Sequence, residues 1–222
     1  MLFFDIGANR GDATEAALKL GYEVVALECA PIYSELVKRY IYDKRVFCLR
    51  NAVSDKDEES VEFYVCEEDG LSSLNIDWLT KEGMPYVGRK YETVKVSTVT
   101  IDTLARLYGE PDLIKVDVEG AEWQVLRGMS KAYGELTFEW TFATLEEHEA
   151  QLDYLYSIGY KYFAPQYIEH HLVRPTDYYE LTDNNAKQLY IWHQETSDAW
   201  HEEGWKRSGL RPSSDVGMCW LK

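Results

Sequence analysis

Apolar positions come in short runs separated by segments of helical spacing, and this alternation persists over the first two thirds of the chain. Leu2 to Ile6, Tyr22 to Glu28, Val46 to Leu49, Thr93 to Val99, Leu113 to Asp117, Leu136 to Phe142 and Tyr160 to Ala164 read as strands. The most continuous of them lack a polar side and suit a sheet buried on both faces. Helices are predicted over Asp12 to Leu20, with Asp12 as N-cap and Gly21 as stop, and after Pro31, with Ile32, Leu36, Val37 and Tyr40 on one face. Thr100 caps a third, whose apolar positions are Leu104 and Leu107 and whose stop is Gly109. Glu122 to Met129 and Leu145 to Tyr156 follow, the latter with Leu152 and Leu155 on its apolar face. Strand, helix, strand in repetition predicts a doubly wound, mostly parallel α/β sheet with right-handed crossovers.

Some segments stand outside this pattern. Val61 to Val65 alternates like a half-exposed strand, and Glu67 to Arg89 is a loop long enough to act as a lid. Leu189 to Trp192 reads as a closing strand and Thr196 to Lys206 as a helix. No internal repeat and no second core emerge, so residues 1–222 are read as one domain. The first strand is already under way at residue 2, which suggests a domain of a longer polypeptide or a minimal version of its kind.

Charge narrows the partners. The formal net charge is −16 and the pI about 4.7, which argues against a nucleic-acid backbone or an anionic membrane as partner, since both need clustered Lys and Arg. A small or uncharged acceptor fits better. No apolar run approaches the roughly 18 residues of a membrane span, and no signal-peptide pattern opens the chain. Cys29, Cys48, Cys66 and Cys219 lack metal or redox spacing, so reduced thiols and a cytoplasmic setting are expected. Tyr and Trp are frequent, and many fall in the last third, where they suit core and interface or sugar-stacking walls.

Two strand ends carry the candidate chemistry. Asp5-Ile6-Gly7-Ala8-Asn9-Arg10-Gly11 is a strand-to-helix turn whose small residues let a ligand approach the backbone. Glu28 ends the next strand, where a carboxylate can accept both hydroxyls of a ribose; a bare turn and a surface glutamate are the bland alternative. Asn9 stands where a dinucleotide fingerprint has its second glycine, which disfavours a pyrophosphate and favours S-adenosylmethionine, a phosphate-free nucleoside bearing a sulfonium.

The second end is Leu113-Ile114-Lys115-Val116-Asp117-Val118-Glu119-Gly120-Ala121-Glu122. Asp117 and Glu119 lie on one side if the strand continues, while Glu119 and Glu122 could instead simply favour a helix start. Lys115, inside the apolar run, must sit at the sheet surface or pair with an acid. Ser72 and Ser73 in the long loop either bind a ligand carboxylate or serve the turn. His148, on a helix, and His170-His171, in a loop, are alternative bases, read first as surface histidines.

These blocks resemble the FkbM-type family of class I S-adenosylmethionine-dependent methyltransferases. The resemblance rests on Asp5 to Gly11, Ala26 to Pro31, Ser72 to Leu74, Val99 to Leu104 and, most specifically, Ile114 to Glu122. It covers roughly residues 3 to 142, and Glu139 matches a glutamate of the family's following strand. Cys29-Ala30-Pro31 departs from the usual proline directly after the glutamate. The resemblance implies a Rossmann-like, mostly parallel seven-stranded sheet with extra β-strands, here with an aromatic-rich C-terminal segment. It implies methyl transfer from S-adenosylmethionine to a hydroxyl, often on a sugar or another secondary metabolite. The cofactor-binding set is then Asp5, Gly7, Ala8, Asn9, Gly11, Glu28, Asn51, Ala52, Ser72, Ser73 and Asp117. An aliphatic hydroxyl hardly ionises at neutral pH, so attack on the methyl needs a base, and Asp117, Glu119 or Glu139 can supply it. Alternatively the same carboxylates hold a divalent metal, since oxygen-only ligands suit Mg²⁺ or Mn²⁺. Competing readings are a nicotinamide-dependent sugar-modifying enzyme and a non-catalytic carbohydrate-binding module.

Overall fold

The computed structural model describes residues 1–82, 84, 86–141, 145–166, 172, 174–175, 178–182 and 216–222. In chain order the elements begin with β1 (Leu2–Ile6), α1 (Asp12–Lys19), β2 (Glu23–Leu27), α2 (Tyr33–Tyr40), β3 (Val46–Leu49), β4 (Ala52–Val53), β5 (Glu58–Cys66), α3 (Asp77–Thr80) and β6 (Tyr91–Val99). They continue with α4 (Ile101–Tyr108), β7 (Leu113–Val116), α5 (Glu122–Leu126), β8 (Glu135–Thr141), α6 (Leu145–Ile158), β9 (Tyr162–Gln166), β10 (Tyr179–Glu180) and β11 (Val216–Leu221).

The apolar runs form the centre of one sheet in the order β10-β9-β11-β8-β7-β1-β2-β3. From β3 to β8 all neighbours are parallel, whereas β11 enters antiparallel between β8 and β9. This is a mixed, mostly parallel α/β sheet, as the alternation of strands and helices predicts. It has eight strands where seven are expected, because the two-residue β10 pairs on the outer edge of β9. The extra strands build a separate sheet, β4-β6-β5, so Thr93 to Val99 leaves the main sheet to join it.

Successive residues of β1 and β2 point to opposite faces, and each face has its own cover. Phe4, Ile6, Val25 and Leu27 pack with Leu104 of α4, Val125 of α5 and Leu152 and Leu155 of α6. Phe3, Val24 and Ala26 pack with Ala13 and Ala17 of α1 and Leu36 and Tyr40 of α2. Helices thus shield both sides, which is what lets the central strands be apolar throughout.

Several local expectations shift. The N-cap of α1 is Gly11; Asp12 falls inside the first turn, with its carboxylate 2.8 Å from Arg39. Thr100 caps α4 as expected, accepting from the Thr103 amide at 3.1 Å, yet Leu107 faces solvent and the buried face is Ile101, Leu104 and Ala105. The loop from Glu67 to Arg89 is pinned by α3, whose Trp78 and Leu79 are each 1% exposed, so it is anchored rather than a free lid. His148 is buried, stacked on Phe138 and edge-on to Trp140, side chains that join the α4–α6 face of the sheet. His170, His171, Phe142, the strand at Leu189 to Trp192 and the helix at Thr196 to Lys206 lie outside the described residues. All four cysteines are free thiols, and among the described residues no helix is long and apolar enough to cross a membrane.

Candidate active site

The chain runs outward through β1, β2 and β3, then returns to lay β7 on the other side of β1. Such a reversal opens a crevice at the carboxyl ends of the strands. Here it is a cleft of about 340 Å³, within the roughly 300–1,000 Å³ of small-molecule sites.

Gly7 makes the floor possible. Its φ is +75°, and a Cβ on it would stand 1.7 Å from the carbonyl oxygen of Asp117. The turn after β1 therefore lies directly on the backbone after β7, where the Asp117 amide donates to the Ile6 carbonyl at 3.1 Å. Asn9 also takes a left-handed φ of 48°, a conformation asparagine tolerates better than most side chains. The turn's amides are already engaged: Gly7 and Ala8 donate to the Leu27 carbonyl, Asn9 to Glu28 Oε2 at 3.0 Å, and Gly11 to the Ala8 carbonyl. Together with the carboxylates of Glu28, Asp117 and Glu119 in the wall, this suits a cationic nucleoside better than a pyrophosphate.

Glu28 is held at its post by two backbone amides, Asn9 on Oε2 and Ala30 on Oε1 at 2.7 Å. Burial pushes its carboxyl up from the ordinary range, and the bonds from Ala30 and Asn9 and the charge of Lys115 oppose that shift.

The acidic residues meet for two different reasons. Val116 lies opposite Phe138 in the β7–β8 ladder, so Asp117 and Glu139 are the next pair along. Glu119 arrives otherwise: β7 has ended, and Glu119 takes φ 58° with Gly120 at φ 82° after it. Continuation of the strand is therefore not what unites Asp117 with Glu119, but oxygens of Asp117, Glu119 and Glu139 all lie within 4.8 Å of one another. Three carboxylates are a ligand set of the kind Mg²⁺ or Mn²⁺ takes; Lys115 already supplies positive charge at the same place.

Lys115 is paired rather than at the surface. Its side chain is 8% exposed, with Nζ 3.1 Å from Asp117 Oδ2, 3.6 Å from Asp5 Oδ1 and donating to the Gly7 carbonyl at 2.9 Å. Burial alone would lower its pKa, but Asp117, Asp5 and Glu139 outweigh burial and hold the ammonium charged. Beyond the cluster, Glu122 is buried in the first turn of α5 and accepts from the Val118 amide at 2.9 Å. Burial raises its carboxyl to about 7.

Of the residues expected to bind a cofactor, Gly7, Ala8, Asn9, Glu28, Asn51, Ala52, Ser72 and Asp117 line the cleft, as does Glu119. The others serve that wall from behind. Asp5 is fully buried, taking the Thr14 hydroxyl at 2.6 Å; Gly11 packs under Leu36 and Tyr40; Ser73 is buried, its hydroxyl reaching the Val118 carbonyl at 3.4 Å. Three contributors were not foreseen. Phe63 lines the cleft from β5, and its place in the alternating Val61 to Val65 run was the available signal. Arg10, another lining residue, ties the turn to Glu35 and to Asp69 of the long loop at 3.2 and 2.7 Å. Trp78, whose indole donates to Glu119 Oε2 at 3.2 Å, is signalled only by the apolar pair it makes with Leu79 in the long loop.

A small-molecule cleft at the switch point of a mostly parallel sheet, with an acidic cluster beside it, marks an α/β ligand-binding domain. The sequence profile of the methyltransferase FkbM domain matches residues 5–162, so the chain belongs to that family. No curated protein matches the sequence. Among solved structures, phosphoethanolamine N-methyltransferase 2 of Haemonchus contortus in complex with S-adenosyl-L-methionine aligns with 9% identity and a TM-score of 0.37, over 100% of this chain and 47% of that one. The glycopeptide N-methyltransferase MtfA complexed with sinefungin aligns with 10% identity and a TM-score of 0.34, over 100% of this chain and 79% of that one. This chain thus spans about half the length of the first of these, and likenesses so distant add nothing to the family match.

Proposed function

We propose that this domain is an S-adenosylmethionine-dependent O-methyltransferase whose acceptor is a hydroxyl of a sugar or glycan. The observation that carries the reading is one cleft whose wall joins Glu28, at the end of β2, to Asp117 and Glu119 after β7. Glu28 would take the ribose hydroxyls, Asn51, Ala52 and Phe63 the flank of the nucleoside, and Asp117 the cationic amino-acid end. Bound there, S-adenosylmethionine supplies an electrophilic methyl group. The chain's own task is then to present the acceptor hydroxyl and remove its proton as the new bond forms, an effect of roughly 10²- to 10⁴-fold.

Among the three carboxylates Glu119 is the best placed base. Asp117 is engaged by the Lys115 ammonium at 3.1 Å, and Glu139 is buried without lining the cleft. Glu119 lines the cleft.

Calorimetry with S-adenosylhomocysteine is expected to give binding that Glu28→Ala weakens at least about tenfold, the size expected for losing hydrogen bonds to a charged group. Label from methyl-tritiated S-adenosylmethionine is expected in a sugar or glycan fraction. Binding of NADH in place of S-adenosylhomocysteine would hand the cleft to the nicotinamide reading.

A further inference from the structure

Glu119 is an unusual choice for the place it occupies. A residue with a side-chain Cβ is held at φ 58°, and its long side chain has three torsions to fix before the carboxylate can act on one defined point. Something must hold both the turn and the side chain.

The segment from Ser73 to Trp78 does both. Ser73 Oγ donates to the Val118 carbonyl at 3.4 Å, and Asn75 Nδ2 donates to the Gly120 carbonyl at 2.8 Å, so the peptide group before Glu119 and the one after Gly120 are gripped, with the Glu119–Gly120 turn between them. Trp78 Nε1 donates to Glu119 Oε2 at 3.2 Å, and its ring lies against Gly120 so closely that a Cβ there would stand 2.5 Å from the indole. The gripping segment is itself fixed. Ser73 exchanges both backbone hydrogen bonds with Tyr64 of β5, Asn75 Oδ1 accepts from the Asp77 amide at 3.1 Å, and the Tyr86 ring packs edge-on against Trp78 at 5.3 Å.

We propose that Trp78 is the positioning residue for the Glu119 carboxylate, with Asn75 holding the turn that presents it. The long loop then contributes to the reaction without touching substrate: its indole sets where the carboxylate stands, and its amide keeps the left-handed turn. This inference rests on the reading of Glu119 as the base. Small misplacements of a catalytic group carry large penalties, about 10²-fold for 1 Å.

The test uses the full chain with Trp78→Phe, which keeps a ring and removes the donor, and Asn75→Ala, which spares the buried indole if the first variant folds poorly. Glu119→Gln and the Trp78→Phe/Glu119→Gln double variant complete the set. Two readouts are taken on each: the ¹⁵N–¹H indole resonance of Trp78, where that residue is present, and the rate of label transfer from methyl-tritiated S-adenosylmethionine to a glycan extract. S-adenosylhomocysteine affinity is measured alongside. Glu119→Gln is expected to shift the Trp78 indole resonance, and Trp78→Phe and Asn75→Ala are each expected to lower the rate about tenfold or more while the affinity stays within about twofold. The double variant should be no slower than Glu119→Gln alone, because Trp78 acts through Glu119. An indole resonance indifferent to Glu119→Gln, wild-type rates in Trp78→Phe and Asn75→Ala, or additive losses in the double variant would overturn the inference and leave the base intact. A wild-type rate in Glu119→Gln, or no label transferred by the wild type, would overturn the reading of Glu119 beneath it.

Discussion

Lys115 and Asp5 face each other because β1 and β7 are paired with those two residues in register, and the sheet closes over both. Asp5 is wholly buried, and the Thr14 hydroxyl accounts for only one of its oxygens, so the ammonium 3.6 Å from the other is what compensates the charge. Taking one member from a buried ion pair leaves an uncompensated charge and typically costs about 3–5 kcal/mol, far more than the pair's net worth. Lys115→Met is therefore expected to lower the unfolding free energy by about that amount in urea titration, and Asp5→Asn made in the same chain to restore a good part of it. If the double variant were as unstable as the sum of the singles, the pair would not be the cause. Lys115 also donates to the Gly7 carbonyl, so this pair supports the floor of the cleft as well as the sheet.

Turns rather than strands decide where the cleft's atoms lie, and two glycines separate the effects that a turn combines. Gly7 and Gly21 have φ of +75° and +87°; a Cβ at Gly7 meets the Asp117 carbonyl at 1.7 Å, while one at Gly21 meets nothing within 4 Å. Gly21→Ala is expected to cost only the left-handed backbone penalty, about 1–2 kcal/mol, seen as a modest fall in melting temperature. Gly7→Ala adds a clash that only movement of the β7 turn can relieve, so it is expected to abolish S-adenosylhomocysteine binding by calorimetry; equal effects of the two would sink the steric account. The central strands were legible in sequence because continuous apolar runs have few other uses, and the strand-end acids because they break those runs. What escaped depends on partners far along the chain. The strand Val216–Leu221, interrupted by Gly217, is defined by pairing with β8 and β9, and nothing local announces it. Glu119 was named for a strand-like alternation that in fact ends at Val116, and a left-handed turn rather than the strand brings it beside Asp117. His148 looked exposed because Glu146, Glu147 and Glu149 surround it in sequence, while its ring stacks on Phe138. On that face it is separated from Glu139, which alternates to the other side of β8.

Across the whole molecule 39 acidic side chains outnumber 23 basic ones, so self-repulsion of the compact state eases as carboxylates take up protons. Two kinds of carboxyl then pull the pH dependence in opposite directions. Asp43, hydrogen-bonded by Arg45, and Glu15, by Lys19 and Arg39, are held below their ordinary values. Their contribution is present above the unfolded value and lost as pH falls through the lower folded one, and it is small because these pairs lie at the surface, where solvent screens them. Glu122 acts the other way. Burial raises it from 4.5 to about 7, so between those values the native chain keeps a proton that the unfolded chain releases. Stability must fall as pH rises through that window, by up to about 1.4 kcal/mol per pH unit. The deprotonated carboxylate above it would face Asp117, whose charge adds to the cost. Glu122→Gln keeps an oxygen for the Val118 amide, which donates at 2.9 Å, and cannot ionise. Denaturant unfolding at intervals from pH 4.5 to 7 is therefore expected to show a flatter dependence in Glu122→Gln than in the wild type, with the variant the more stable at the upper end. The same slope in both proteins would mean that Glu122 is already ionised in the folded state across this range, and that burial at the start of α5 does not hold its proton.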